Sequence, residues 1–195
     1  MQHLLHPLKR LYTKASRPVL ATALSALLAG LACVAPAQAQ SARPYLGIGA
    51  GLATVDVGND SETVPALQLV SGIQLHSNFA MELSYMSTTS VDAPGTDFSL
   101  SSIGVSGLLL LPISIGRRDS LTLFGKLGLS QTSALYDGND NAATVDDFGL
   151  NYGLGVQYAP SRSFALRLSR DTRPYARGRQ SDDAALTSIS AIFSF

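Results

Sequence analysis

Ala185-Leu-Thr-Ser-Ile-Ser-Ala-Ile-Phe-Ser-Phe195, at the end of the chain, alternates large and small side chains. Phe195, Phe193, Ala191, Ile189, Thr187 and Ala185 share one parity, and Ser194, Ile192, Ser190, Ser188 and Leu186 share the other. Apart from Ile192 and Leu186, this period of two puts bulk on one face of a β-strand and small hydroxyls on the opposite face. A strand at this position has no downstream partner, so its free edge is expected to meet an earlier strand. The first alternating segment begins near Tyr45. A sheet closed on itself is one of only two backbone arrangements that can span a bilayer.

The same alternation recurs upstream. It predicts strands over 45–55, 66–75, 79–87, 100–111, 121–134, 148–158 and 164–171, which with 185–195 makes eight. The fifth is the sharpest: Leu121, Leu123, Leu127 and Leu129 oppose Thr122, Lys126, Gly128 and Ser130. Short turns such as His76-Ser-Asn78 and 159–163 alternate with longer polar stretches at 57–65, 88–99, 137–147 and 172–182. An even number of strands with unequal loops predicts an all-β, eight-stranded antiparallel up-and-down barrel, and strands of this length can cross a membrane.

Periodicity does not say which face looks inward. A lipocalin-like soluble barrel would turn its apolar face in. The polar face, however, carries few charges, chiefly Glu82, Lys126 and Arg167, which is too few for a solvated exterior. It is rich in Gly and Ser, as a narrow interior requires. Aromatics on the apolar face gather at strand ends: Phe79, Tyr158, Phe164, Phe193 and Phe195 at one side, Tyr85 and Phe148 at the other. That distribution predicts an interfacial girdle on a transmembrane barrel. Leu108 and Phe124 fall on the polar face and fit neither arrangement.

These features resemble the small OmpA/OmpX-type outer-membrane barrels over residues 44–195. Phe193-Ser-Phe195 is similar to the C-terminal assembly signal of that class, and Phe124-Gly-Lys-Leu-Gly128 to its fifth-strand pattern. The resemblance implies a monomeric integral protein of a Gram-negative outer membrane, in contact with lipid and lipopolysaccharide. It also implies handling by the barrel assembly machinery, periplasmic termini, and loops as the variable surface. A peptidoglycan-binding domain of the full OmpA type is not expected.

The first segment reads differently. Lys9, Arg10, Lys14 and Arg17 precede an Ala/Leu-rich run over 19–35 and the small-residue motif Ala37-Gln-Ala39. This order predicts a signal peptide over 1–39, ahead of a barrel domain over 40–195. An uncleaved anchor, or a lipoprotein processed before Cys33, fits the run less well. Cys33 is the only cysteine, so the remainder would hold no disulfide or cysteine-bound metal. It would carry ten Lys/Arg against fourteen Asp/Glu, which argues against a nucleic-acid partner.

Glu82, Lys126 and Arg167 are expected to face the lumen together, as a static ion-pair plug or as the gate of a narrow porin. Arg173, Arg177 and Arg179, in the expected last loop, are candidates for lipopolysaccharide phosphates. The Asp-rich segment 137–147 lacks EF-hand spacing. His76-Ser-Asn78 invites comparison with the lipid A deacylase PagL. Here, however, His and Ser are adjacent, lie on a turn, and lack an acidic orienter. The expectation is therefore a non-enzymatic barrel with no metal or cofactor, structural or surface-interacting, with a narrow channel as the alternative.

Overall fold

The computed structural model describes residues 42–57, 60–89, 91–93, 96–115, 119–138, 142–177 and 180–195. The expected signal peptide, residues 1–39, lies outside the described residues. Nine strands follow one another: β1 (Arg43–Val57), β2 (Asp60–His76), β3 (Phe79–Thr88), β4 (Val91–Ala93), β5 (Thr96–Ser114), β6 (Ser120–Gly138), β7 (Ala142–Ala159), β8 (Phe164–Arg177) and β9 (Gln180–Ser194). All pairings are antiparallel. The last strand meets the first, with Tyr45 opposite Ser194 and Thr54 opposite Ala185, so the free edge of β9 is used by β1. β3 pairs directly with β5, leaving the three-residue β4 as a small hairpin on β5. The barrel is therefore closed by eight long strands.

Its tilt follows from the register. From Arg170, paired residues lead through Leu154, Gly125 and Leu109 to Phe79. In the other direction they lead through Thr187, Leu52 and Pro65 to Thr89, whose N–H donates to the Pro65 carbonyl at 3.0 Å. The two end points lie ten residues apart on the chain. Closing eight strands with that stagger sets them roughly 40° from the barrel axis.

The strands outrun the alternating segments at one end. The stretches 57–65, 88–99, 137–147 and 172–182, expected as loops, largely continue the β-ladders: Asp137 pairs with Ala142, and Arg177 with Gln180. Polar composition suggested loops there. Backbone pairing does not require apolar side chains once a wall has risen out of the lipid, so the ladders run on. β5 and β6 reach 19 residues and β7 reaches 18, well beyond the roughly 9–11 that a tilted crossing needs.

The apolar parity points outward, away from the lumen. Ile48, Leu67, Leu109, Leu127, Leu154 and Ile189 are all more than half exposed. At the short-turn end the belt finishes in Phe79, Tyr158, Phe193 and Phe195, and the rings of Phe164 and Phe193 stand 5.6 Å apart. Phe148 is exposed at the opposite end, whereas Tyr85 is largely covered.

The interior is layered rather than uniformly polar. Tyr45, Val70, Ala80, Leu108, Phe124, Ala165 and Ile192 form an apolar cluster toward the short-turn end. Ala53, Val55, Val64, Ala66, Met86, Leu100, Ala134, Ala184 and Leu186 form a second cluster toward the long-strand end. Between them lies a polar layer. Leu108 and Phe124, anomalous on a polar face, are thus the floor of that layer.

The ion-pair layer of the lumen and the family of the barrel

Among the described residues, five charged side chains enter the layer: Glu82 from β3, Lys126 from β6, and Arg167, Asp171 and Arg173 from β8. None is more than 6 % exposed. Glu82, Lys126 and Arg167, expected to share the lumen, are in contact. Lys126 Nζ stands 3.6 Å from Glu82 Oε1, and Arg167 Nη1 pairs with Glu82 Oε2. Tyr45 donates its hydroxyl to the same Oε2 at 3.0 Å. Lys126 also reaches Asp171 Oδ1 at 3.0 Å, and Gln68 Nε2 donates to Asp171 Oδ2 at 3.2 Å. Ser188 donates to Gln68 Oε1 at 2.7 Å and exchanges a hydrogen bond with Ser169.

Arg167 is held on several sides at once. Its Nε and Nη2 donate to Gln157 Oε1 at 3.1 and 3.0 Å. Its guanidinium carbon lies 5.5 Å from the Tyr45 ring centroid and 5.0 Å from that of Phe124. Both distances lie within cation–π range, which favours a planar cation over an ammonium at this position. Every carboxylate in the network thus has a cation, which burial of ionised groups demands.

Asp171 was missed as a member, although the signal was present in the chain. Arg167, Ser169, Asp171 and Arg173 continue one parity, and the expected strand was stopped at Asp171 because polar residues followed. For the same reason Arg173 requires correction. It is a buried lumen residue, 1 % exposed, donating to Ser102 Oγ at 3.2 Å and Ser84 Oγ at 3.1 Å, and cannot touch lipopolysaccharide. Arg177 ends β8, with its side chain outside the described residues, and Arg179 lies outside them altogether. Among the described residues, Arg170 stands on the outer wall, exposed between Leu154 and Thr187.

At the turn, Ser77 Oγ bonds His76 Nδ1 at 3.2 Å and Asn78 Oδ1 at 2.8 Å, and Asn78 Nδ2 donates to the Leu110 carbonyl. These contacts fasten a turn to the neighbouring strand. Phe193 and Phe195 lie on the outer wall at the short-turn end.

The comparisons agree with this geometry. A family model for the outer membrane protein beta-barrel domain matches residues 24–195. A search of curated proteins by sequence finds no match. Among solved structures, Neisserial surface protein A is similar with a TM-score of 0.65 at 19 % identity, covering 80 % of this chain and 100 % of that one. The attachment invasion locus protein Ail of Yersinia pestis gives 0.58 at 15 % identity over 80 % and 100 %. The outer membrane enzyme PagL gives 0.53 at 10 % identity over 76 % and 98 %. At these identities the likeness is one of fold. With the closed barrel, the outward apolar belt and the matched family model together, the chain belongs to the outer membrane β-barrel family.

Proposed function

We propose that the protein is a closed, non-enzymatic outer-membrane barrel that acts through its extracellular rim. The observation that carries this reading is the layering of the lumen. Glu82, Lys126, Arg167 and Asp171, paired to one another between two apolar clusters, leave no continuous polar path among the described residues. What remains available to partners is the wall that β5, β6 and β7 raise beyond the belt. An exported precursor cut after Ala39, periplasmic termini, and Phe193 and Phe195 as the assembly signal complete the reading. Arg177 and Arg179, which follow the buried Arg173 in sequence, are suited by their chemistry to lipopolysaccharide phosphates.

The test has two parts. In planar bilayers the wild-type protein is expected to pass no steady current. In cells, replacing residues 133–144 by a tight turn should leave a heat-modifiable barrel in the outer membrane, while adherence of the cells to immobilised glycans and proteins falls. Sustained wild-type conductance would overturn the closed reading. Unchanged adherence across those surfaces would remove the rim from it.

A second reading, a narrow gated channel, is favoured by one feature: Lys126 stands between two carboxylates, at 3.6 Å from Glu82 and 3.0 Å from Asp171. Exchange of partners would break the layer. In that case Lys126→Ala would convert brief openings into long ones.

A further inference from the structure

The polar layer is short of one negative charge. Among the described side chains it holds three cations, Lys126, Arg167 and Arg173, against two carboxylates, Glu82 and Asp171. Both carboxylates are engaged by Lys126 and Arg167. Arg173 has no carboxylate in ion-pair contact. Its Nη1 and Nη2 donate to two neutral hydroxyls, and its Nε has no acceptor at all. A fully buried guanidinium bonded only to hydroxyls, whose nearby carboxylates Asp171 and Glu82 are already paired with other cations, is only partly compensated, a costly state for an ion inside a barrel.

Asp171 Oδ1 also lacks a hydrogen bond but is held by the Lys126 ion pair, whereas two further buried groups, Asn151 Nδ2 and Ser130 Oγ, are left without partners. They belong to the same level of the lumen. Ser84, Gly104 and Ser130 pair in a row across β3, β5 and β6. The guanidinium spans Ser84 and Ser102, the latter two residues from Gly104 on β5. Asn151 Nδ2 lies over Gly104, 2.7 Å from where a Cβ would stand, while its Oδ1 is already taken by Ser106 at 2.8 Å. A guanidinium N–H, an amide N–H and a hydroxyl are thus each left without a hydrogen-bond partner, the last two beside Gly104 and the first on a guanidinium that bonds Ser84 and Ser102 in the same part of the lumen. Such a set matches a compact anion. A cation would be repelled by it, and a neutral water would add no negative charge.

We propose that Arg173, Asn151 and Ser130 bind a small inorganic anion of chloride size inside the barrel, as the missing counter-ion of the lumen. The cluster of Met86, Leu100, Ala134 and Leu186 sits on the long-strand side of the layer, so the ion is taken up as the barrel closes and exchanges slowly afterwards. The site is independent of what the rim binds.

The test compares barrels folded from urea into detergent micelles in sodium chloride or in sodium gluconate at equal ionic strength. A ligand bound only by the folded state raises stability with its concentration. The urea midpoint of the wild type is expected to rise with chloride and to stay flat with gluconate. Crystals grown in bromide should show one anomalous peak between Arg173 and Asn151. Arg173→Gln should abolish both effects. Asn151→Asp, which supplies the negative charge covalently, should abolish the chloride dependence while keeping the barrel folded, as read by its heat shift on a gel. Should Arg173→Gln fail to fold, Asn151→Asp and the bromide map decide the question. Equal midpoints in both salts, an unchanged chloride effect in Asn151→Asp, or a bromide map empty at Arg173 would overturn the site.

Discussion

Tyr45 and Glu82 stand on β1 and β3, with β2 between them, and the hydrogen bond joining them passes over Gly72. Gly72 pairs with Tyr45 on one side and Glu82 on the other, and a Cβ there would collide with the Tyr45 ring. The pattern repeats. Gly153 pairs with both Lys126 and Asp171, whose ion pair arches over it. Gly128 pairs with both Ser106 and Asn151, whose hydrogen bond does the same. Gly155 lies under the Phe124 ring, which in turn stacks on Arg167. In a barrel this narrow, side chains on alternate strands meet most directly where the residue between them has no side chain.

That relationship predicts an uneven response to adding one methyl group. Gly72→Ala should displace the Tyr45 ring and loosen its bond to Glu82, costing about 1–3 kcal/mol as an overpacked site. Gly125→Ala, on the outer wall with nothing within 4 Å of the added carbon, should be neutral or slightly stabilising. Urea unfolding in lipid vesicles measures both. Equal losses would mean that the inner glycines are not spacers.

Removing Lys126 alone should be severe. Lys126→Ala leaves Asp171 with the Gln68 amide as its hydrogen-bond partner among the described residues and no cation in contact, and a broken buried pair costs about 3–5 kcal/mol. Replacing both partners by apolar residues, Lys126→Met with Asp171→Leu, should recover a large part of that loss, since neither member of the pair is then left behind as a stranded charge. A double-mutant cycle on urea midpoints reads the coupling. Additive losses would show that the ion pair contributes nothing as a unit.

The orientation of the barrel can be tested from outside. Leu127 lies on the outer face two residues from Gly125, which shares its row with Arg170, near mid-height of the belt. Leu127→Arg should cost about 2–4 kcal/mol in vesicles, whereas Gln131→Arg, four residues nearer the rim, should cost about 0–1 kcal/mol. Equal costs would contradict the assigned depth.

Much of this was legible in the chain, and what was lost has a physical cause. Alternation reports burial against two different environments, so it placed Leu127 outward and Glu82, Lys126 and Arg167 inward, because lipid demands apolar side chains. Above the lipid that demand ends while backbone pairing continues. The signal therefore faded at Asp171 and Asp137 although the ladders did not. Arg173 was misplaced for that reason, and Asp171 overlooked. Leu108 and Phe124 looked out of register because an interior read as one polar face is in fact layered. The spacer glycines were visible as composition. Which strands they separate needs the register.

Arg170 is a charge on the outer wall, and its row places it midway in height between Phe79, in the aromatic ring at the short-turn end, and Thr89. An arginine at that depth costs about 2–4 kcal/mol unless its long stem carries the guanidinium up to the interface. Two environments then give opposite signs. In vesicles of zwitterionic phospholipid, Arg170→Leu should stabilise the barrel by about 1–3 kcal/mol, the penalty being removed. In vesicles whose outer leaflet is lipopolysaccharide, the guanidinium can meet anionic groups from below, and the same substitution should lose most of that gain or turn destabilising. Urea midpoints in the two lipids check this. Stabilisation of the same size in both would mean that Arg170 makes no contact with lipopolysaccharide.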